Sequence, residues 1–294
     1  MAVAAPFDRE KQLRNVFGIA AIAAGFLLAI AGVLQLVGPQ AKVNETTLGL
    51  ITTNKRVGLD IGSAVIALVG WACVAAALAF LSNAARARSP EIRPFVRLIG
   101  IVGPLVAGVI GLATAVVVGL KAHDFVTHGV QSYQQANSLL SGTFVLVLQL
   151  LTNVGGLLVA VGFVLVSLNA MRVGLLTRFM GYLGILAGAL VVFFPIPIPV
   201  IQAYWLIAIG YLISGRWPTG VPPAWTSGTA VPWPSSAAMR EQRAKTMADR
   251  RGGGGATRRG LFAPRPAPEP VAPEPPVSRG TRATTPKRKR KRRK

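Results

Sequence analysis

The sequence predicts an all-α polytopic membrane protein: a six-helix transmembrane bundle followed by a disordered basic C-terminal tail. Three observations lead there. The chain of 294 residues is 52% hydrophobic with a mean hydropathy of +0.50, yet it carries 32 Lys+Arg against 10 Asp+Glu, a net charge of +22. The charge is unevenly placed: residues 1–214 hold 13 Lys/Arg and 6 Asp/Glu, and residues 215–294 hold 19 and 4. The first part also contains apolar runs near the length a bilayer requires, about 20 residues as a helix, because backbone polar groups there must pair without water. This division excludes an ordinary soluble enzyme, a disulfide-stapled secreted domain and a β-barrel.

The predicted spans cover residues 16–38, 59–81, 98–120, 142–168, 176–194 and 198–213. The first follows Arg9, Lys11 and Arg14 as a signal peptide would. Its apolar run is longer than the ~7–15 residues of such a peptide and ends without a small-x-small cleavage pattern, so it reads as a retained helix. The fifth and sixth are separated by Pro195, Pro197 and Pro199, which lack N–H groups and force a turn. That makes a pair of short spans joined by a hairpin, with a non-crossing re-entrant pair as the other reading.

Orientation follows from the basic residues of the connecting segments. One side would hold Arg9, Lys11, Arg14, Arg86, Arg88, Arg93, Arg97, Arg172, Arg178 and the tail, 28 Lys/Arg in all; the other holds 4, namely Lys42, Lys55, Arg56 and Lys121. Both termini are therefore expected in the cytoplasm, with the bundle in the plasma or inner membrane.

Beyond the spans, residues 215–235 form a Pro/Trp-rich juxtamembrane segment. Trp217, Trp225 and Trp233 are spaced by eight, and such rings suit the headgroup level of a bilayer. Residues 236–251 lack Pro and Gly and could form a short basic helix. Residues 252–294 are Pro/Gly-rich and polybasic, too poor in apolar surface to offset the entropy of ordering, and are expected to be disordered. The chain closes on Lys287, Arg288, Lys289, Arg290, Lys291, Arg292, Arg293 and Lys294. The expected partner of this run is anionic lipid, since each basic residue near a charged leaflet gains about 1 kcal/mol. Nucleic acid, through its phosphates, or an acidic protein would compete for it.

Within the spans, small residues recur every fourth position at Gly103, Ala107, Gly111, Ala115 and Gly119. Such a stripe lets helix backbones approach closely, and is expected to face other helices rather than lipid. Two matching openings, Arg97 with Gly100 and Gly103, and Arg178 with Gly181 and Gly184, read as packing rather than as a transporter repeat. Gln149, Thr152 and Asn153 share one helical face and would either line a polar cavity or hydrogen-bond a neighbouring helix. Apart from Asp60 at a span's mouth, the span cores lack the carboxylates and histidines that coupled carriers use.

No catalytic constellation is expected. Cys73 is the single cysteine, so no intrachain disulfide forms. His123, Asp124 and His128 lie in the third loop, but the five-residue separation of the histidines places them on different helix faces. Asn44-Glu45-Thr46 fits a glycosylation sequon, a short pattern that recurs by chance. Nucleophile elbow, zincin, P-loop and dinucleotide motifs are absent from the sequence. No cofactor and no metal are implied, and the chain reads as non-enzymatic. Its Ala/Gly/Val/Arg usage, Ala-Pro linker and Lys/Arg terminus resemble multi-pass membrane proteins of high-GC bacteria, a likeness of composition that transfers no site. The expected role is a scaffold or accessory subunit whose tail engages acidic surfaces. The alternative is a small transporter or channel with a polar path near Gln149 and Asn153. The oligomeric state is left open.

Overall fold

The computed structural model describes residues 4–39, 46–193, 199–218, 220–233, 240–241 and 243–247. Those residues are helical throughout apart from turns and connecting segments, and contain no strand. The helices are α1 (Ala4–Leu36), α2 (Thr46–Arg88), α3 (Phe95–Thr127), α4 (Tyr133–Leu140), α5 (Thr143–Arg172), α6 (Arg178–Phe193), α7 (Val200–Ile213) and α8 (Pro223–Ser227). Four segments, Glu10–Leu36 of α1, α2, α3 and α5, are long and apolar enough to cross a membrane.

The long helices overrun the apolar runs. Residues 46–58 of α2 and 121–127 of α3 extend the rods into stretches expected as loops. They gather with α4 around a small second core of Leu50, Ala122, Phe125 and Ala136. Ser132 caps α4, its hydroxyl accepting from the Gln135 N–H at 3.3 Å, which explains why a helix starts there. The third loop is therefore mostly structured.

The helices at the positions predicted for the fifth and sixth spans are shorter than expected. α6 has 16 residues and α7 has 14, or about 24 and 21 Å at the α-helical rise. Both fall below the length of the four long helices. Of the proline turn between them, Pro199 is described and residues 194–198 lie outside the described residues.

Six helices close a ring in the neighbour order α1–α2–α3–α5–α6–α7 and back to α1, with α2 also touching α5 across it. Adjacent helices run antiparallel. Gly18 meets Gly210 while Gly25 meets Ala203 and Ile207, and Gly108 meets Leu68 and Trp71 while Gly119 meets Val57. The glycines set these distances. A Cβ on Gly103 would lie 2.8–2.9 Å from the Leu158–Val159 backbone, and one on Gly188 2.7 Å from the Ala160 carbonyl. Both spacings admit only a hydrogen, so close backbone contact replaces side-chain interdigitation. Phe163 and Trp205 fill the centre, rings 5.1 Å apart.

Residues to Pro234 form one compact unit and those from Ser235 another. In the second unit, residues 240–241 and 243–247 are helical, with Lys245 paired to Glu241 at 2.9 Å. Lys287–Lys294 lie outside the described residues.

Candidate functional site

Two polar assemblies stand out against the apolar bundle, one at each end. The end where α1 begins and α2 finishes is termed proximal, the opposite end distal.

The distal assembly is built on α2. Arg56 is 8% exposed, and its Nε donates to Asp60 Oδ1 at 2.9 Å, one turn along the same helix. Its Nη2 donates to the Gln35 carbonyl at 2.7 Å and to that of Leu34 at 3.4 Å; Nη1 reaches the Pro39 carbonyl at 3.5 Å. The last carbonyls of a helix have no partner within it and carry its negative dipole end. Arg56 thus caps α1 from the neighbouring helix, which explains its burial at a position the sequence suggested was an exposed loop.

This pair borders a cleft of about 810 Å³ between α1, α2 and α3, closed at one side by Leu140 of α4. Trp71, Ala67, Ala107 and Gly108 lie deep along it; Thr46, Thr53 and Gln35 lie nearer the distal end. Several hydroxyls are already committed as donors: Thr52 to Leu48, Ser63 to Asp60 and Thr114 to Ile110, all backbone carbonyls at 2.8–2.9 Å. These side chains and Asp60 therefore offer the cleft lone pairs more than hydrogens.

The proximal assembly closes the other end. Arg88, in the last turn of α2, holds Glu10 of α1 by two hydrogen bonds, Nη2 to Oε1 at 2.8 Å and Nη1 to Oε2 at 3.0 Å. Its Nε donates to the Ala224 carbonyl at 2.8 Å. Arg14 donates from Nε to the Ile213 carbonyl at the end of α7, also at 2.8 Å. Both guanidinium groups lie over Trp225, at 4.7 Å for Arg14 and 5.2 Å for Arg88. Trp225 continues a stack through Phe80 to Phe17. Two cations on one ring, with one bidentate carboxylate, form a charge-assisted plug.

Residues 217–218 and 220–233 form a strap across this end. Trp225 Nε1 donates to the Leu175 carbonyl at 2.8 Å, Trp233 Nε1 to that of Leu176 at 2.7 Å, and the Val231 N–H to that of Val173 at 3.1 Å. All three acceptors lie in the α5–α6 turn. Gly174 is required there twice over: its φ is +80°, and a Cβ would collide with the Val231 carbonyl. For Trp225 this corrects the headgroup reading. Trp225 is 1% exposed and anchors the chain to protein rather than to lipid.

The small-residue stripe divides between two environments. Gly103 and Gly119 are close-packed against α5 and α2, whereas Gly111 has nothing within 4 Å of an added Cβ. Ala107, Gly111 and Ala115 line the cleft. Gln149, Thr152 and Asn153 are exposed on the outer side of α5 and contribute nothing to the cleft. The Thr152 hydroxyl returns to the Leu148 carbonyl at 2.9 Å. His128 pairs with Asp124 at 3.2 Å on the exposed surface, and no group of three metal-ligating side chains occurs among the described residues.

The strap and the plug were missed from sequence because both join distant segments. A faint signal existed: three tryptophans beside a membrane domain carry three N–H donors that need acceptors if buried. Comparison with protein-family models, curated proteins and solved structures finds no match for this chain.

Proposed function

We propose that the protein is a non-catalytic membrane scaffold or accessory subunit of the cell membrane, with its proximal end and both termini in the cytoplasm. On this reading the polybasic run Lys287–Lys294 engages anionic lipid headgroups. The observation that carries it is the strap: the chain leading to the tail is pinned to the bundle as far as Trp233, so the tail departs from a fixed point. Tethering raises the local concentration of the basic run at the adjacent leaflet, which favours lipid over partners in solution. Nucleic acid and acidic proteins remain the competitors.

The test uses the full chain in bilayers, with a dye at its C-terminus and a quencher on the lipid headgroups. Quenching should be strong in bilayers containing anionic lipid, weak in neutral ones and lost with added salt, and should vanish when Lys287–Lys294 are deleted. Equal quenching in neutral bilayers sinks the electrostatic reading.

A second reading, a small transporter or channel, is favoured by the cleft around Asp60. Its polar path would follow α2 and α3 rather than Gln149 and Asn153. Solute uptake into proteoliposomes that is abolished by Asp60→Asn would select this reading over the scaffold.

A further inference from the structure

The outer face of α5 carries a pattern that a single chain does not use. Leu146, Leu150 and Leu157 are 57%, 63% and 54% exposed, and Asn153, also exposed, stands between the last two. The spacing 146, 150, 153, 157 is four, three, four, which is the a/d seam of a coiled coil. Gln149 flanks the seam one residue before Leu150. Among the described residues, neither the Asn153 nor the Gln149 amide has a hydrogen-bond partner.

Position makes this costly. Asn153 lies nine residues from Phe144 and fifteen from Leu168 within one apolar helix, about 13 and 22 Å along the axis. With α5 spanning a bilayer, that amide faces hydrocarbon, where an unpaired polar group costs several kcal/mol. Among the described residues the intramolecular solutions are missing: the α1–α2–α3 cleft does not reach Asn153, and its side chain is exposed rather than covered by a neighbouring helix.

We infer that the Leu146–Leu157 face of α5 is a dimerisation seam, and that its occupant is α5 of a second copy of this chain. A carboxamide is self-complementary, since its N–H₂ donates and its C=O accepts. Across a two-fold axis, each Asn153 satisfies its symmetry mate without any new chemistry. A single Asn within an apolar a/d seam also fixes register and limits the assembly to a defined number of chains. An acidic or basic partner would leave a charge in lipid, and an apolar helix would leave both amides unpaired. A second copy leaves neither. The inference rests on α5 crossing the membrane and is independent of the tail.

The test uses the full chain with Cys73→Ala, reconstituted at low density in neutral liposomes. Leu150→Cys and Leu157→Cys, each with Asn153 retained, should form disulfide-linked dimers on mild oxidation. Val109→Cys, 55% exposed on α3, should not. Subunit counting by photobleaching should show two steps for the parent protein, and Asn153→Leu should weaken dimerisation about three- to tenfold. Asn153→Gln should largely restore it. Asn153 is exposed, so Asn153→Leu should leave the melting temperature of the isolated chain unchanged, which separates lost assembly from lost folding. Single-step bleaching of the parent protein, cross-linking at Val109 equal to that at Leu150, or an undiminished dimer in Asn153→Leu would each overturn the seam.

Discussion

The indole N–H of Trp225 donates to the carbonyl of Leu175 at 2.8 Å, fifty residues earlier in the chain. With that bond, a Pro-rich stretch that follows the last bundle helix becomes part of the bundle's own proximal end. The ring also carries Arg14, Arg88 and Phe80 on its surface, so α1, α2 and the α5–α6 turn all meet on one side chain.

Trp225→Ala should therefore cost about 3–5 kcal/mol, the range for deleting a large buried aromatic. Melting in detergent should fall, and limited proteolysis should cut within residues 217–233. Trp225→Phe keeps the stack and loses the N–H, and should cost less. An unchanged cleavage pattern in Trp225→Ala would mean the strap holds by other means.

The Glu10–Arg88 pair supplies a sharper contrast. The Arg88 side chain is 1% exposed, so Glu10→Ala leaves a buried guanidinium with carbonyl partners alone. Breaking such a pair costs about 3–5 kcal/mol. Glu10→Ala combined with Arg88→Met should be less destabilised than Glu10→Ala by itself, because the uncompensated charge is gone. Thermal melts of the single and double variants, set out as a mutant cycle, measure the coupling.

The stripe on α3 makes two opposite predictions eight residues apart. Gly103→Leu should destabilise by ~1–3 kcal/mol or abolish expression, since the new side chain meets the Leu158 backbone. Gly111→Leu should be tolerated, because it projects into the cleft. It should also lower the capacity of the cleft for any solute. Equal melting temperatures for the two variants would contradict the packing described here.

Orientation is checked by labelling. In a Cys73→Ala background, Gln131→Cys should react with an impermeant thiol reagent in intact cells, and Ser89→Cys should react only after lysis. Reaction at Ser89 but not at Gln131 would reverse the assignment.

Much of the fold was legible in the sequence because hydrocarbon imposes one rule, that backbone groups pair within a helix. The apolar runs of α1, α2, α3 and α5 announce themselves for that reason. Their ends did not, since residues 46–58 and 121–127 are more polar helix held by Phe125 and Leu50 rather than by lipid. Arg56 looked like a loop charge because its acceptors, the carbonyls of Leu34 and Gln35, become available only once α1 and α2 pack together. The shared face of Gln149 and Asn153 was readable from spacing, but which way it points is decided by the ring order of the helices.

Arg56 and Arg88 stand thirty-two positions apart on α2, and each reaches back to α1, one to its last carbonyls and the other to Glu10. Two rivets that far apart prevent α1 from sliding or pivoting against α2. The pair behaves as a single splint running nearly the whole height of the molecule. Any motion that widened or narrowed the cleft would then have to arise at the α2–α3 boundary, where Gly108 and Gly119 bring the two helices into close contact. A disulfide engineered across α1 and α2 should therefore leave the protein's behaviour unchanged, while one across α2 and α3 should freeze it.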